Sequence, residues 1–177
     1  MSYDCEKNLT LKVDHPFNKL KNFLKENPDS ISEIESALGA VLLRIDPSDR
    51  GNRFVTGSAF EWILAAACGA AGIASIPGGH SENGFDLLAL RESMRGLWSI
   101  KSATTPALSD FRLTNTMNSK GSGLQNPTIF MHPKLPGLVY VDPNMSPKLI
   151  SKVKILKDAT TISGILIRDY SVNNPDL

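Results

Sequence analysis

The chain has 177 residues, 41% of them hydrophobic and 21% charged, with a formal net charge of +1. That length buries a core without disulfide or metal staples, and the near-neutral balance excludes a general polycation. No stretch approaches the ~20 apolar residues of a membrane helix, the opening Met-Ser-Tyr-Asp-Cys-Glu lacks a signal pattern, and the expectation is one cytoplasmic domain spanning residues 1–177 with no membrane contact.

Charge is unevenly spread. Residues 1–88 carry 8 Lys/Arg and 12 Asp/Glu, whereas residues 89–177 carry 11 and 6, a swing from −4 to +5. A basic second half suits a phosphate-backbone partner. Cys5 and Cys68 suggest neither a disulfide framework nor a thiolate metal site, and Cys68 reads as a small core residue.

In chain order, residues 1–55 read as an N-terminal helical region. Asp14 to Glu26 predicts a helix with Pro16 preset at its start and Phe17, Leu20 and Leu24 along one face. Asn27-Pro28 ends it. Asp29 and Ser30 open a second helix striped by Ile31, Ile34, Leu38, Leu42 and Ile45. Asp46 to Gly57 reads as a polar loop in which Arg50 and Arg53 are available to phosphates or to solvent.

Residues 56–142 read as the core. Ser58-Ala-Phe-Glu61 predicts a helix start leading into the apolar run from Trp62, with Ser-x-x-Glu in the pattern of a capping box. Ile73 to Ile76 suggests a first strand, and Pro77 to Gly84 a flexible turn carrying His80 and Glu82, more simply surface residues than ligands.

Two short apolar strands follow, Phe85 to Leu90 and Leu97 to Lys101, joined by a polar turn containing Arg91, Glu92, Ser93, Arg95 and Gly96. Antiparallel pairing sets the start of the first beside the end of the second, so Asp86 and Lys101 become neighbours. A carboxylate that can hold a divalent cation, next to a lysine that can orient water, is equipment for metal-dependent phosphodiester hydrolysis.

Asp86, followed by Ser99-Ile100-Lys101 on the next strand and preceded by Glu61 on a helix, resembles the PD-(D/E)xK nuclease superfamily, which includes many type II restriction endonucleases. The resemblance covers roughly Thr56 to Asp142. It departs from the family pattern at Phe85, where proline is usual, and at Ser99, where the family usually places an acidic metal ligand. Some restriction enzymes with serine there use a glutamate from a helix, and Glu61 stands in position for that role or for the helix cap. Asp110 is a competing carboxylate, more simply a cap or solvated residue.

The resemblance implies an α/β, restriction-endonuclease-like fold: a mixed central sheet flanked by helices, with a crossover after Lys101. It further implies hydrolysis of double-stranded DNA with Mg²⁺, or Mn²⁺ as substitute, by a homodimer within a restriction system. Asp86 would be the main metal ligand, with Glu61 and the Ile100 carbonyl beside it. Lys101 would position the attacking water, and Ser99 would contribute a hydrogen bond or a water-mediated contact. A repair or junction nuclease is the nearest alternative. From another class comes a non-catalytic DNA-binding or protein-interaction subunit that kept the fold.

The segment after Lys101 is rich in hydroxyls and amides and includes Arg112 and Lys120 as possible DNA contacts; its other reading is a crossover helix and a surface loop tipped at Ser119 to Gly123. Pro127 to His132 and Gly137 to Asp142 predict further strands, with Trp98, Phe130 and Tyr140 in the core. In the C-terminal extension, residues 143–177, Lys152 to Leu156 suggests an edge strand and Thr160 to Tyr170 a helix containing Gly164.

Overall fold

The computed structural model describes residues 15–46, 49–78, 85–90, 96–103, 107–113, 124–156 and 159–174. Three helices lead the chain: α1 (His15–Glu26), α2 (Pro28–Arg44) and α3 (Arg50–Ala70). The first two match the apolar spacing. The third begins at Arg50, so the segment expected as a loop is two turns of helix. Ser58 and Glu61 are therefore interior residues and not a capping box, and the boundary expected between residues 55 and 56 falls inside α3.

A glycine-dependent motif ends α3. Ile73 N–H donates to the Cys68 carbonyl at 2.7 Å and Gly72 N–H to the Gly69 carbonyl at 2.9 Å, with Gly72 at φ +71°. That paired pattern satisfies carbonyls the helix leaves open and reverses the chain, in a backbone conformation glycine adopts without steric cost. Lys19 Nζ donates to the Gly72 carbonyl at 2.8 Å, which ties α1 to the same corner.

Five strands form the main sheet: β1 (Ser75–Pro77), β2 (Leu87–Ala89), β3 (Gly96–Ser102), β5 (Thr128–Met131) and β6 (Val139–Val141), in that spatial order. The β1–β2, β2–β3 and β5–β6 pairs are antiparallel, and β3–β5 is parallel. The sheet is thus mixed, as expected. Parallel pairing requires a crossover between β3 and β5. Where that segment is described it holds the two-residue strand β4 (Phe111–Arg112) and irregular chain over residues 107–110, not the helix of the alternative reading.

Alternation along the strands separates two cores. Trp98, Ile100, Ile129, Met131 and Tyr140 face α1, α2 and α3. Phe17 of α1 stacks on Tyr140 with ring centroids 4.2 Å apart and meets Trp98 edge-on at 6.2 Å, contacts worth about 0.5–1.5 kcal/mol each beyond area burial. Phe130, Val139 and Val141 face the other way, towards Phe111, Ile162 and Ile167.

That second core is covered by elements the sequence suggested only in part. The short helix α4 (Pro147–Ile150) precedes β7 (Lys154–Ile155), and β8 (Thr160–Ile162) precedes α5 (Gly164–Asn173). β7 is an edge strand, but of a separate three-stranded sheet ordered β4-β8-β7. The helix expected from Thr160 begins only at Gly164, because Thr160 to Ile162 is strand. Among the described residues, no helix is long and apolar enough to cross a membrane.

Candidate active site

The β2–β3 hairpin builds the site. Leu87 pairs with Trp98 and Leu88 with Gly96, so β3 carries one extra residue, a bulge at Leu97. Bulges bend a strand and re-aim its side chains, and both Leu97 and Trp98 join the core beneath α3. From Trp98 onward alternation is regular. Ser99 and Lys101 share the face occupied by Thr128 and Phe130, their partners on β5.

Asp86 lies one residue before β2, with its backbone held on both sides. Its N–H donates to the Trp98 carbonyl, and its carbonyl accepts from the Gly78 N–H, each at 2.9 Å. The carboxylate then reaches β3. Ser99 Oγ donates to Asp86 Oδ2 at 2.9 Å, Ile100 N–H at 2.5 Å, and Lys101 Nζ at 3.4 Å. The expected neighbourhood of Asp86 and Lys101 is thus present, with Ser99 and Ile100 converging on the same oxygen.

Strand geometry places the Ile100 carbonyl as well. Ser99 N–H bonds the Pro127 carbonyl on the β5 side. Backbone groups alternate sides along a strand, so the N–H and C=O of Ile100 both point towards β2. The site therefore offers oxygen from one carboxylate and one backbone carbonyl. Ser99 is 4% exposed, whereas the Lys101 and Asp86 side chains are 24% and 28% exposed. The ion pair is therefore partly buried and still open to solvent.

Glu61 belongs to a different element. It is half-buried on α3, on the face that carries Leu64 and Cys68 to the sheet. Seven residues of helix separate it from Cys68, roughly 10 Å of rise. β1 starts at Ser75, beside Cys68, and covers a similar distance, roughly 10 Å, by Gly78. Gly78 is bonded to Asp86. Glu61 thus lies on the α3 side of the sheet, while Ser99 and Lys101 occupy the opposite face.

Among the described residues, no three His, Cys, Asp or Glu side chains are grouped as they would be around a metal ion. One carboxylate with a backbone carbonyl nonetheless fits a hard cation such as Mg²⁺, which keeps several waters and shares its shell with substrate phosphates.

The remaining expected positions are scattered. Arg112 is exposed on β4, and Asp110 is exposed just before it. Arg50 and Arg53 lie on α3, but their side chains fall outside the described residues, as do Cys5, His80, Glu82, the Arg91 to Arg95 turn and Lys120. Sequence reasoning missed His132, which is buried at the end of β5. Its Nδ1 accepts from Lys134 N–H at 2.9 Å, and its Nε2 lies 3.2 Å from the Ala107 carbonyl. It joins β5 to the segment leaving Lys101. No local signal marks it, since Ala107 lies 25 residues away.

Comparison of the chain with models of known families, with curated proteins and with solved structures finds no match.

Proposed function

We propose that the chain is a metal-dependent DNA endonuclease with a restriction-endonuclease-like fold, acting as a type II restriction enzyme and as a homodimer on duplex DNA. The observation that carries this reading is the meeting of Ser99, Ile100 and Lys101 on one oxygen of Asp86. The mixed sheet, with its parallel crossover after Lys101, supports it.

Asp86 Oδ1 and the Ile100 carbonyl would hold Mg²⁺, or Mn²⁺ in its place, with Glu61 as a further oxygen donor. The bound cation supplies Lewis acidity and a more acidic water. Asp86 is oriented for this by Ser99 and Ile100, whose hydrogen bonds hold Oδ2 and fix the carboxylate plane. Lys101 donates from its ammonium to the attacking water and to the phosphate oxygens. It thereby offsets the negative charge that grows at phosphorus, a contribution on the order of 10²–10³ in rate for one well-placed donor. Dimerisation supplies a second site for the second strand.

Cleavage of a long, sequence-diverse DNA with Mg²⁺ or Mn²⁺ tests the reading, with Asp86→Ala and Lys101→Ala alongside. Discrete fragments lost in both variants support a restriction enzyme. A smear lost in both keeps the nuclease and points to repair or junction processing.

One observation favours a second reading. The Ser99 hydroxyl, standing where an acidic ligand is usual, binds Asp86 itself. A non-catalytic DNA-binding or protein-interaction subunit would tolerate that arrangement. Folded protein that cuts no DNA with either metal, and shows no calorimetric Mg²⁺ or Mn²⁺ binding with DNA present, favours that alternative.

A further inference from the structure

The apolar face of α2 is left half covered. Ile31, Ile34, Leu38 and Leu42 repeat along it at helical spacing, yet none of the 17 residues of the helix is buried. Helices in proteins draw most of their stability from packing such a face. Here the faces of α1 and α2 instead bound a cleft of about 730 Å³, closed on its other side by Ala103 and the turn between β5 and β6. Ile31, which lines it, is 40% exposed.

Charge at the cleft comes in two signs. Lys25 of α1 and Glu35 of α2 both line it and are exposed, and neither has an ion-pair or hydrogen-bond partner among the described residues. Lys21, half-buried on the α1 wall, already holds an interaction within the chain. Glu35 follows Ile31 by one turn on the same face. A small anion would meet Lys25 favourably and Glu35 unfavourably, and a cation the reverse. A second copy of the same surface satisfies both. In a two-fold contact residue i meets j while j meets i, so Lys25 pairs with Glu35 of the partner subunit, and Glu35 with Lys25 of the partner subunit.

We infer that this cleft is the interface of a homodimer, in which each copy lays the apolar face of its α2 into the trough of the other. The footprint agrees. α2 is roughly 25 Å long and two helices side by side are roughly 20 Å across, so the surface covers on the order of 500 Å² in projection and more once its relief is counted. Stable dimers bury about 800 Å² of accessible surface per partner. An apolar centre with charge at its edge is also the anatomy of a specific interface. The inference rests on the homodimer of the nuclease reading and gives it a surface. Ala103, which lines the cleft, follows Lys101 by two residues. The contact therefore adjoins the end of the strand that carries Lys101 and sets the two sites near the two-fold axis, as cutting both strands of one duplex requires.

Sedimentation of the full chain across a concentration series tests the interface, with Ile31→Ser, Lys25→Glu, Glu35→Lys and the double charge swap alongside and thermal melts to confirm folding. The parent should run near twice 19.2 kDa. By symmetry one reversal strikes both ion pairs, so Lys25→Glu and Glu35→Lys should each raise the dissociation constant about tenfold or more, and Ile31→Ser by a similar factor. The double swap should restore the dimer. An equimolar mixture of the two single reversals should form a heterodimer, because both pairs in it are again opposite in charge. A monomeric parent, or a dimer that the reversals leave unchanged, overturns the inference; if that protein cuts DNA with Mg²⁺, the nuclease reading survives without this surface. Weakening without rescue in the double swap or the mixture also overturns it. A monomer that binds the apolar anion anilinonaphthalene sulfonate, and loses it in Ile31→Ser, hands the cleft to a small ligand and overturns the second copy. Rescue in a protein that cuts no DNA keeps the interface and removes the nuclease.

Discussion

Asp86 and Ile100 are joined by a bond that a strand ordinarily makes through its backbone alone: the Ile100 N–H donates to the Asp86 carboxylate at 2.5 Å, just beyond the end of β2. The side chain takes the place of the carbonyl that a continuing strand would present. A structural role and the proposed chemical role thus fall on one residue, and substitutions can separate them.

Asp86→Asn retains an oxygen acceptor for Ile100 and Ser99 but removes the charge that would hold a cation. It should abolish cleavage while leaving the unfolding free energy within about 1 kcal/mol of the parent. Asp86→Ala also strands the Ile100 donor, and an unsatisfied group of that kind costs about 1–3 kcal/mol. Chemical denaturation of the two variants beside the DNA cleavage assay gives both numbers. Equal stability losses in the two would show that the hydrogen bonds contribute nothing.

Ser99→Ala removes a single donor from a carboxylate that keeps two others. A hydroxyl donating to a carboxylate contributes about 1.5–3 kcal/mol, and the side chain is too small to leave a large cavity. Cleavage should persist within roughly tenfold of the parent, since Lys101 and Ile100 still orient Asp86. Complete loss of cleavage in a folded Ser99→Ala protein would make the hydroxyl part of the chemistry.

The pairing of Asp86 with Lys101 was legible because a hairpin needs only two apolar runs and a turn, and antiparallel register then forces the juxtaposition. The start of α3 was not. Gly51 and Gly57 lower helix propensity and the stretch from Asp46 to Asn52 is polar, so local signals mimic a loop until packing against α2 overrides them. Thr160 to Ile162 carried a strand signal in its β-branched residues. That signal was outweighed by the helical run after it. The pairing of β4 with β8 joins residues about fifty positions apart through two register pairs, and nothing local specifies such a contact.

Gly164 is a test of how the crossover seats on α5. A Cβ at this position would lie 2.5 Å from the Ser109 carbonyl oxygen and 2.8 Å from the Leu108 side chain. The carbonyl is backbone and cannot swing aside, so Gly164→Ala must shift the segment that leads into β4. Overpacking of this kind costs about 1–3 kcal/mol, more than the helix propensity alanine gains at a first-turn position. A melting temperature below the parent's checks the direction. An unchanged or raised value would mean that residues 107–110 yield freely.

Cys68 links stability to alkaline pH. Burial pushes its thiol from 9.0 up to about 12, with the Ser75 hydroxyl beside it acting weakly in the other direction. The folded protein therefore holds the proton over a range in which the unfolded chain releases it. Stabilisation from this group is complete below pH 9.0 and is lost as pH rises towards about 12. Within that window the loss approaches about 1.4 kcal/mol per pH unit. Urea unfolding of the parent and of Cys68→Ala at several alkaline pH values isolates the effect, because the other alkaline titrations are common to both. The stability difference should drift against the parent as pH rises, and a constant difference would remove the link. A Cys5→Ser protein should also leave Cys68 unlabelled by a thiol reagent near pH 8, where the buried group is protonated and sealed between α3 and the sheet, and should react once denaturant opens the core.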